Sequence, residues 1–211
     1  MKAALFDFDG VLVDTEPVYD LFWNEAALRY GIGIDHFAQV IKGTTLLDIL
    51  ERYFSTYSQA QKDKLLEESR VFESKMPFPP MPGSLEFLRL LKGEGVKTAL
   101  VTSSDRNKID RALRQLRLED SFDVVITSDD VDKGKPDPAC YLAAVREVGL
   151  PAVDCLVFED SLNGIRSGLA AGLRVVALCT TLPAEELQGL AQVVIPDLQG
   201  KDYRAFLSFF Q

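Results

Sequence analysis

Six short apolar runs recur along the chain, at residues 3–8, 96–102, 122–127, 153–158, 173–179 and 192–195. They are rich in Val, Leu and Ile and do not alternate with polar residues. A strand with one wet face alternates, whereas a strand covered on both faces does not. The runs therefore predict a parallel sheet buried on both sides. Helical periodicity fills the intervals at 85–91, 108–116, 138–148 and 165–171. Strand and helix in alternation predict an α/β fold with a doubly wound, mainly parallel sheet.

One interval breaks the alternation. Residues 16–76 carry helical patterns only: Val18, Leu21, Phe22, Ala26 and Tyr30, then Leu46, Leu47, Ile49, Leu50 and Phe54, then Leu65, Leu66, Val71 and Phe72. This is much more chain than one crossover requires, and it predicts an all-helical domain inserted after the first strand. The return connection, residues 77–83, has four prolines in seven residues, which stiffens it and forbids helix. The expected organisation is a core of residues 1–14 and 81–211 with a helical domain of residues 15–80. Outgoing and return linkers side by side would form a hinge, on which the helical domain opens and closes over the strand ends.

Composition narrows the function. Of 211 residues, 47% are hydrophobic and 26% charged, so a long disordered chain is excluded. The net charge of −9 argues against nucleic-acid binding, which leaves a basic footprint. Cys140, Cys155 and Cys179 form no CxxC pair and are expected as buried, reduced thiols. No apolar run approaches the ~18 residues that cross a bilayer. Asp7 and Asp9 interrupt the first run, which does not suit a signal peptide. The expectation is a cytoplasmic protein, a monomer or weak homo-oligomer, with no membrane partner.

In an open parallel sheet, ligands bind beyond the carboxyl ends of the strands. The first strand delivers Asp7, Asp9 and Gly10 there, and the second delivers Thr102, Ser103 and Ser104 at a strand-to-helix junction suited to phosphate. The third is followed by a loop containing Lys133 and Lys135. The fourth delivers Glu159, Asp160 and Ser161, the last a plausible helix N-cap. Carboxylates gathered this closely need a cation, and an all-oxygen set suits Mg²⁺. Within the inserted segment, His36 is expected as a surface or helix-start residue and Trp23 as packing.

The segment Asp7-Phe8-Asp9-Gly10-Val11-Leu12-Val13-Asp14 resembles the first motif of the haloacid dehalogenase superfamily. Thr102, Lys135 and Glu159-Asp160 stand where its second, third and fourth motifs belong. The resemblance covers essentially the whole chain and is nearest to the β-phosphoglucomutase-like and sugar-phosphate phosphatase subgroup. It implies a Rossmann-like core with a helical cap, and a small phosphorylated metabolite as partner. It also implies that Asp7 is the nucleophile and Asp9 the general acid and base. Thr102, the N–H of Ser103 and Lys135 would hold phosphoryl oxygens. Mg²⁺ would lie between Asp7, the Asp9 carbonyl and Asp160, with Glu159 in or beside its ligand set. Asp14 is expected as a hinge or turn residue.

A carboxylate at Asp9 points to phosphate esters, since the dehalogenases and phosphonate hydrolases of the superfamily lack one there. Ser104 and Arg106 are further candidates for substrate contact, as are Lys42, Thr44 and Tyr19 in the cap. The mutases' cap His and Arg are not evident: Tyr19 stands at the first position, and Thr44-Thr45-Leu46 follow Lys42-Gly43. The expectation is an Mg²⁺-dependent phosphatase acting on a sugar phosphate through an aspartyl-phosphate. The alternatives are a β-phosphoglucomutase-type transfer and, in another class, a receiver-like or non-catalytic phospho-binding protein.

Overall fold

The structure is a computed structural model that describes residues 1–41 and 46–211. Lys42, Thr44 and Thr45 therefore lie outside the described residues. Six strands form one parallel sheet: β1 (Ala3–Phe6), β2 (Lys97–Val101), β3 (Val124–Ile126), β4 (Cys155–Glu159), β5 (Arg174–Leu178) and β6 (Val193–Ile195). Their order is β3-β2-β1-β4-β5-β6, the doubly wound arrangement expected from the alternation. The order reverses between β1 and β4, which pair in register from Ala3 with Cys155 to Phe6 with Phe158. That reversal is the position at which such sheets open a crevice beyond their carboxyl ends.

The chain divides into two compact units, Thr15–Pro77 and the remainder, Met1–Asp14 with Phe78–Gln211. The smaller unit consists of α1 (Glu16–Tyr30), α2 (Phe37–Val40), α3 (Leu46–Tyr53) and α4 (Gln59–Lys75). Its core gathers Phe22, Trp23, Ala26, Phe37, Ile49, Phe54 and Leu65. Trp23 packs edge-on to Phe22 and Phe37. Leu21, expected on the buried stripe, is 67% exposed. The buried face of α1 runs instead through Phe22, Trp23, Ala26 and Ala27, whose four-residue spacing matches the helical turn. His36 is exposed at the start of α2.

In the larger unit, α5 (Ser84–Gly93), α6 (Arg106–Leu116), α7 (Ala139–Val148), α8 (Leu162–Ala170), α9 (Ala184–Leu187) and α10 (Tyr203–Ser208) surround the sheet. Both faces of β1 are buried, as its unbroken apolarity predicts. Ala3 and Leu5 join a cluster with Val157, Val175, Tyr141 and Ala144. On the other side Phe6 stacks on Phe158, with ring centroids 4.9 Å apart, and Phe87 of α5 packs edge-on to both. Val153, expected in the fourth strand, is 80% exposed in a 3₁₀ turn, Ala152–Asp154. The turn closes through Asp154 N–H to the Pro151 carbonyl, so β4 begins at Cys155. Of the three cysteines, Cys140 and Cys155 are buried and Cys179 is half-buried; all are free thiols.

The segment after β1 is tied to the segment that returns to the larger unit. Asp14 N–H donates to the Pro79 carbonyl (2.7 Å), and Ser84 Oγ donates to the Leu12 carbonyl (2.8 Å). Phe78 packs edge-on to Phe8. These contacts attach residues 78–80 to the larger unit, where the prolines alone suggested linker.

Candidate active site

Asp7 is the first residue beyond β1, and its N–H donates to the Phe158 carbonyl of β4 at 3.0 Å. Lys135, in the loop before α7, reaches Asp7 Oδ1 (2.8 Å), Glu159 Oε1 (2.6 Å) and the Val101 carbonyl (2.9 Å). An ammonium has three donors, so these contacts use all of them. As the side chains stand, Lys135 neutralises the carboxylates; to hold a phosphoryl oxygen it would have to exchange one partner.

Glu159 is fully buried, and both its oxygens accept hydrogen bonds. Oε1 accepts from Lys135 and from Tyr141 of α7 (2.8 Å), while Oε2 accepts from Asp160 N–H and Ser161 Oγ (both 3.2 Å). Gly164 makes room for this carboxylate: a β-carbon there would lie 1.8 Å from Oε1. Ser161 caps α8 as expected, accepting from Gly164 N–H at 3.1 Å.

Asp160 completes the cluster. Asp7, Glu159 and Asp160 each bring a carboxylate oxygen within 4.8 Å of the others. Asp160 Oδ2 accepts from Thr181 Oγ1, beyond β5, whereas its buried Oδ1 has no hydrogen-bond partner among the described residues. Three carboxylates thus face one ammonium. Burial, followed by the neighbouring Glu159 charge, pushes Asp7 up to about 7 against the opposing pull of Lys135. Burial and the charges of Asp7 and Glu159 hold Asp160 well above the usual carboxylate range. Burial alone would lower the Lys135 ammonium, but the Asp7 and Glu159 charges hold it above its ordinary value. An orphaned buried oxygen within an oxygen-only set of excess negative charge fits a hard divalent cation.

Asp9 is in a different environment. Both its oxygens accept from Lys108 Nζ, at 2.9 and 2.8 Å, and Oδ2 also accepts from Ser104 Oγ at 3.0 Å. Its side chain is not part of the Asp7, Glu159 and Asp160 cluster. Thr102 is buried beside β2, and its Oγ1 accepts from Ser104 N–H at 3.0 Å, leaving its hydroxyl proton for another acceptor. Ser103 is exposed at the same turn.

Arg106 does not join the group. Its guanidinium binds Asp130 Oδ2 (2.6 Å) and the Val125 carbonyl (3.1 Å), on the β3 side. Its partner in this structure is the oppositely charged Asp130 rather than the carboxylate cluster. Asp105 is the N-cap of α6, accepting from Lys108 N–H at 2.8 Å. Tyr19 lies in the smaller unit and donates to Glu73 at 3.1 Å. Both residues line a cavity of about 240 Å³ there, together with Glu16, Asp20, Trp23 and Ser69.

Lys108, Tyr141 and Thr181 were not expected at the site. Lys108 had a signal, since it lies in the first turn of a helix that starts at a strand end. Tyr141 had none, because it lies on the buried face of α7 and reads as core packing. Thr181 comes from the loop after β5, which carries no motif.

Comparison with known proteins shows the family. The family described as haloacid dehalogenase-like hydrolase matches residues 1–172. Hexitol phosphatase A of Escherichia coli (strain K12) is 32% identical over 180 residues, covering 84% of this chain and 82% of the relative. The β-phosphoglucomutase of Bacillus subtilis (strain 168) is 32% identical over 190 residues, covering 84% and 83%. The crystal structure of a HAD hydrolase, family IA, variant 3, from Entamoeba histolytica superposes with a TM-score of 0.84 at 26% identity, covering 100% of this chain and 99% of that one. With the paired aspartates after β1, the lysine before α7 and the acidic pair at the end of β4 all at one crevice, the chain belongs to the haloacid dehalogenase-like hydrolases.

Proposed function

We propose that the protein is an Mg²⁺-dependent phosphatase that hydrolyses a sugar or polyol phosphate through an aspartyl-phosphate on Asp7. The observation that carries this reading is the contrast between two carboxylates two residues apart. Asp7 is buried against Lys135, while Asp9 is a third exposed and held by Lys108 and Ser104. Carboxylates placed in different environments can take different roles in one reaction.

In the first step an Asp7 oxygen attacks phosphorus, and the bond from phosphorus to the ester oxygen breaks. Asp9 gives a proton to the departing alcohol. In the second step water attacks the phosphorylated Asp7 and passes its proton to Asp9. Phosphate leaves and the Asp7 carboxylate is restored. Lys135 orients Asp7, while Thr102 and the N–H of Ser103 bind phosphoryl oxygens. Asp7, Asp160 and the Asp9 carbonyl would hold Mg²⁺, with Glu159 fixing Lys135 beside them. When bound, the cation supplies positive charge between the anionic nucleophile and the anionic substrate.

We assign selection of the leaving group to the helical unit, acting as a cap. Relatives named for phosphorylated hexitols and carbohydrates support the sugar or polyol phosphate class. Phosphotransfer of the β-phosphoglucomutase kind is the second reading, prompted by that relative. The engagement of Arg106 with Asp130 weighs against it, since a second phosphate needs a cation to bind it.

The test is phosphate release with Mg²⁺ over a panel of hexitol and sugar phosphates, wild type beside Asp7→Asn. β-Glucose 1-phosphate belongs in the panel, with glucose 6-phosphate followed in parallel. The expected result is phosphate release that Asp7→Asn abolishes. Glucose 6-phosphate without phosphate release would favour the mutase, and turnover in Asp7→Asn would refute the covalent route.

A further inference from the structure

Lys108 Nζ lies within 2.9 Å of both Asp9 oxygens, and its side chain is only 10% exposed. Ser104 Oγ donates to Oδ2 of the same carboxylate. The Lys108 ammonium and the Ser104 hydroxyl thus hold both oxygens of Asp9. Its carboxylate remains a third exposed, so water can reach it.

We infer that Lys108 is a positioning residue that sets Asp9 as the base for hydrolysis of the phosphorylated enzyme, the second of the two proposed steps. In that step the water oxygen bonds to phosphorus, the bond from phosphorus to Asp7 breaks, and the water proton passes to Asp9. Two contacts from Lys108 and one from Ser104 fix the plane of the carboxylate. All three groups belong to the larger unit. α6 supports the lysine: Asp105 caps its first turn through Lys108 N–H, and Ile109, Ala112 and Leu113 bury its inner face.

This inference rests on the phosphatase reading, and the experiment separates the two. Wild type, Asp7→Asn, Lys108→Met and Lys108→Arg are given p-nitrophenyl phosphate with Mg²⁺. Acid quench follows the phosphorylated enzyme, and a chase gives its decay rate. Positioned acid–base groups contribute ~10²–10⁴-fold, so Lys108→Met should slow the decay by at least about tenfold and accumulate phosphoenzyme. If decay then limits turnover, kcat and KM fall together and kcat/KM holds. Lys108→Arg should recover most of the decay rate. A merely structural role would lower kcat/KM without accumulating phosphoenzyme. Lys108→Gln is the second truncation if the Met variant melts early. Wild-type decay in a folded truncation would overturn the inference while leaving the phosphatase reading intact. Turnover in Asp7→Asn would remove that reading and the inference with it.

Discussion

A β-carbon at residue 10 would fall 2.0 Å from Oδ2 of Asp160, so the absence of a side chain at Gly10 is what lets this buried carboxylate occupy its place. Gly10 also has φ +81°, a backbone conformation that side chains disfavour. Gly10→Ala should therefore displace Asp160 and strain the turn, costing about 1–3 kcal/mol. The Mg²⁺ concentration for half-maximal activity should rise alongside. Thermal melting and an Mg²⁺ titration of the same preparation check this, and an unchanged titration would remove Asp160 from the metal site.

The carboxylate cluster sets the sign of a pH dependence. With its pKa raised to about 7 by burial, Asp7 holds its proton in the folded state over a range where the unfolded chain has released it. Stability contributed by this group is present below the ordinary carboxylate range and is lost as pH rises towards 7. Asp160, also raised, adds in the same direction. Lys135, raised instead, contributes a constant amount until much higher pH. Asp130 and Asp154 are lowered, so their contributions change only below about pH 4. Urea denaturation in EDTA should show stability falling from about pH 5 to 7.5, by up to about 1.4 kcal/mol per pH unit for each proton released. Mg²⁺ should flatten the fall, because it stabilises the ionised cluster. A rise in EDTA would contradict this account.

Tyr141 and Glu159 provide a third test. Tyr141→Phe keeps the packing volume and removes one donor from a fully buried carboxylate. Hydrogen bonds to charged groups are worth about 1.5–3 kcal/mol, and the variant should lose a comparable amount in denaturant unfolding. Loss of the same hydrogen bond also loosens the Glu159–Lys135 contact, so kcat should fall with it. A variant as stable as wild type would show that the hydroxyl does not support the charged network.

Arg106 should be nearly silent. Its ion pair with Asp130 is over a third exposed on both sides, and such pairs contribute about 0–1 kcal/mol. Arg106→Ala should leave KM for the preferred sugar phosphate unchanged. A large rise in KM would restore Arg106 as a substrate contact.

The sheet is legible in the amino-acid sequence because strands covered on both faces must be continuously apolar, and Ala3–Phe6 and Cys155–Phe158 carry that signature without help from distant residues. Its ends are blurred where tertiary contact overrides apolarity. Val153 turns outward after Pro151, and Phe78 leaves the proline-rich segment to pack on Phe8. At the site, Asp7, Asp9, Glu159 and Asp160 could be picked out because each lies next to a strand end, where an open sheet gathers ligands, and Lys135 because it lies in the loop that follows one.

What the sequence alone determined was therefore which residues reach the crevice. Strand length and polarity are local properties, and they bring Asp7 and Asp160 to the same edge of a parallel sheet. What only the tertiary structure decided was the partner of each charge. Lys135 takes both Asp7 and Glu159, Lys108 takes Asp9, and Arg106 turns to Asp130. An ion pair depends on distances of a few ångströms between segments far apart in the chain, and no local pattern encodes those distances.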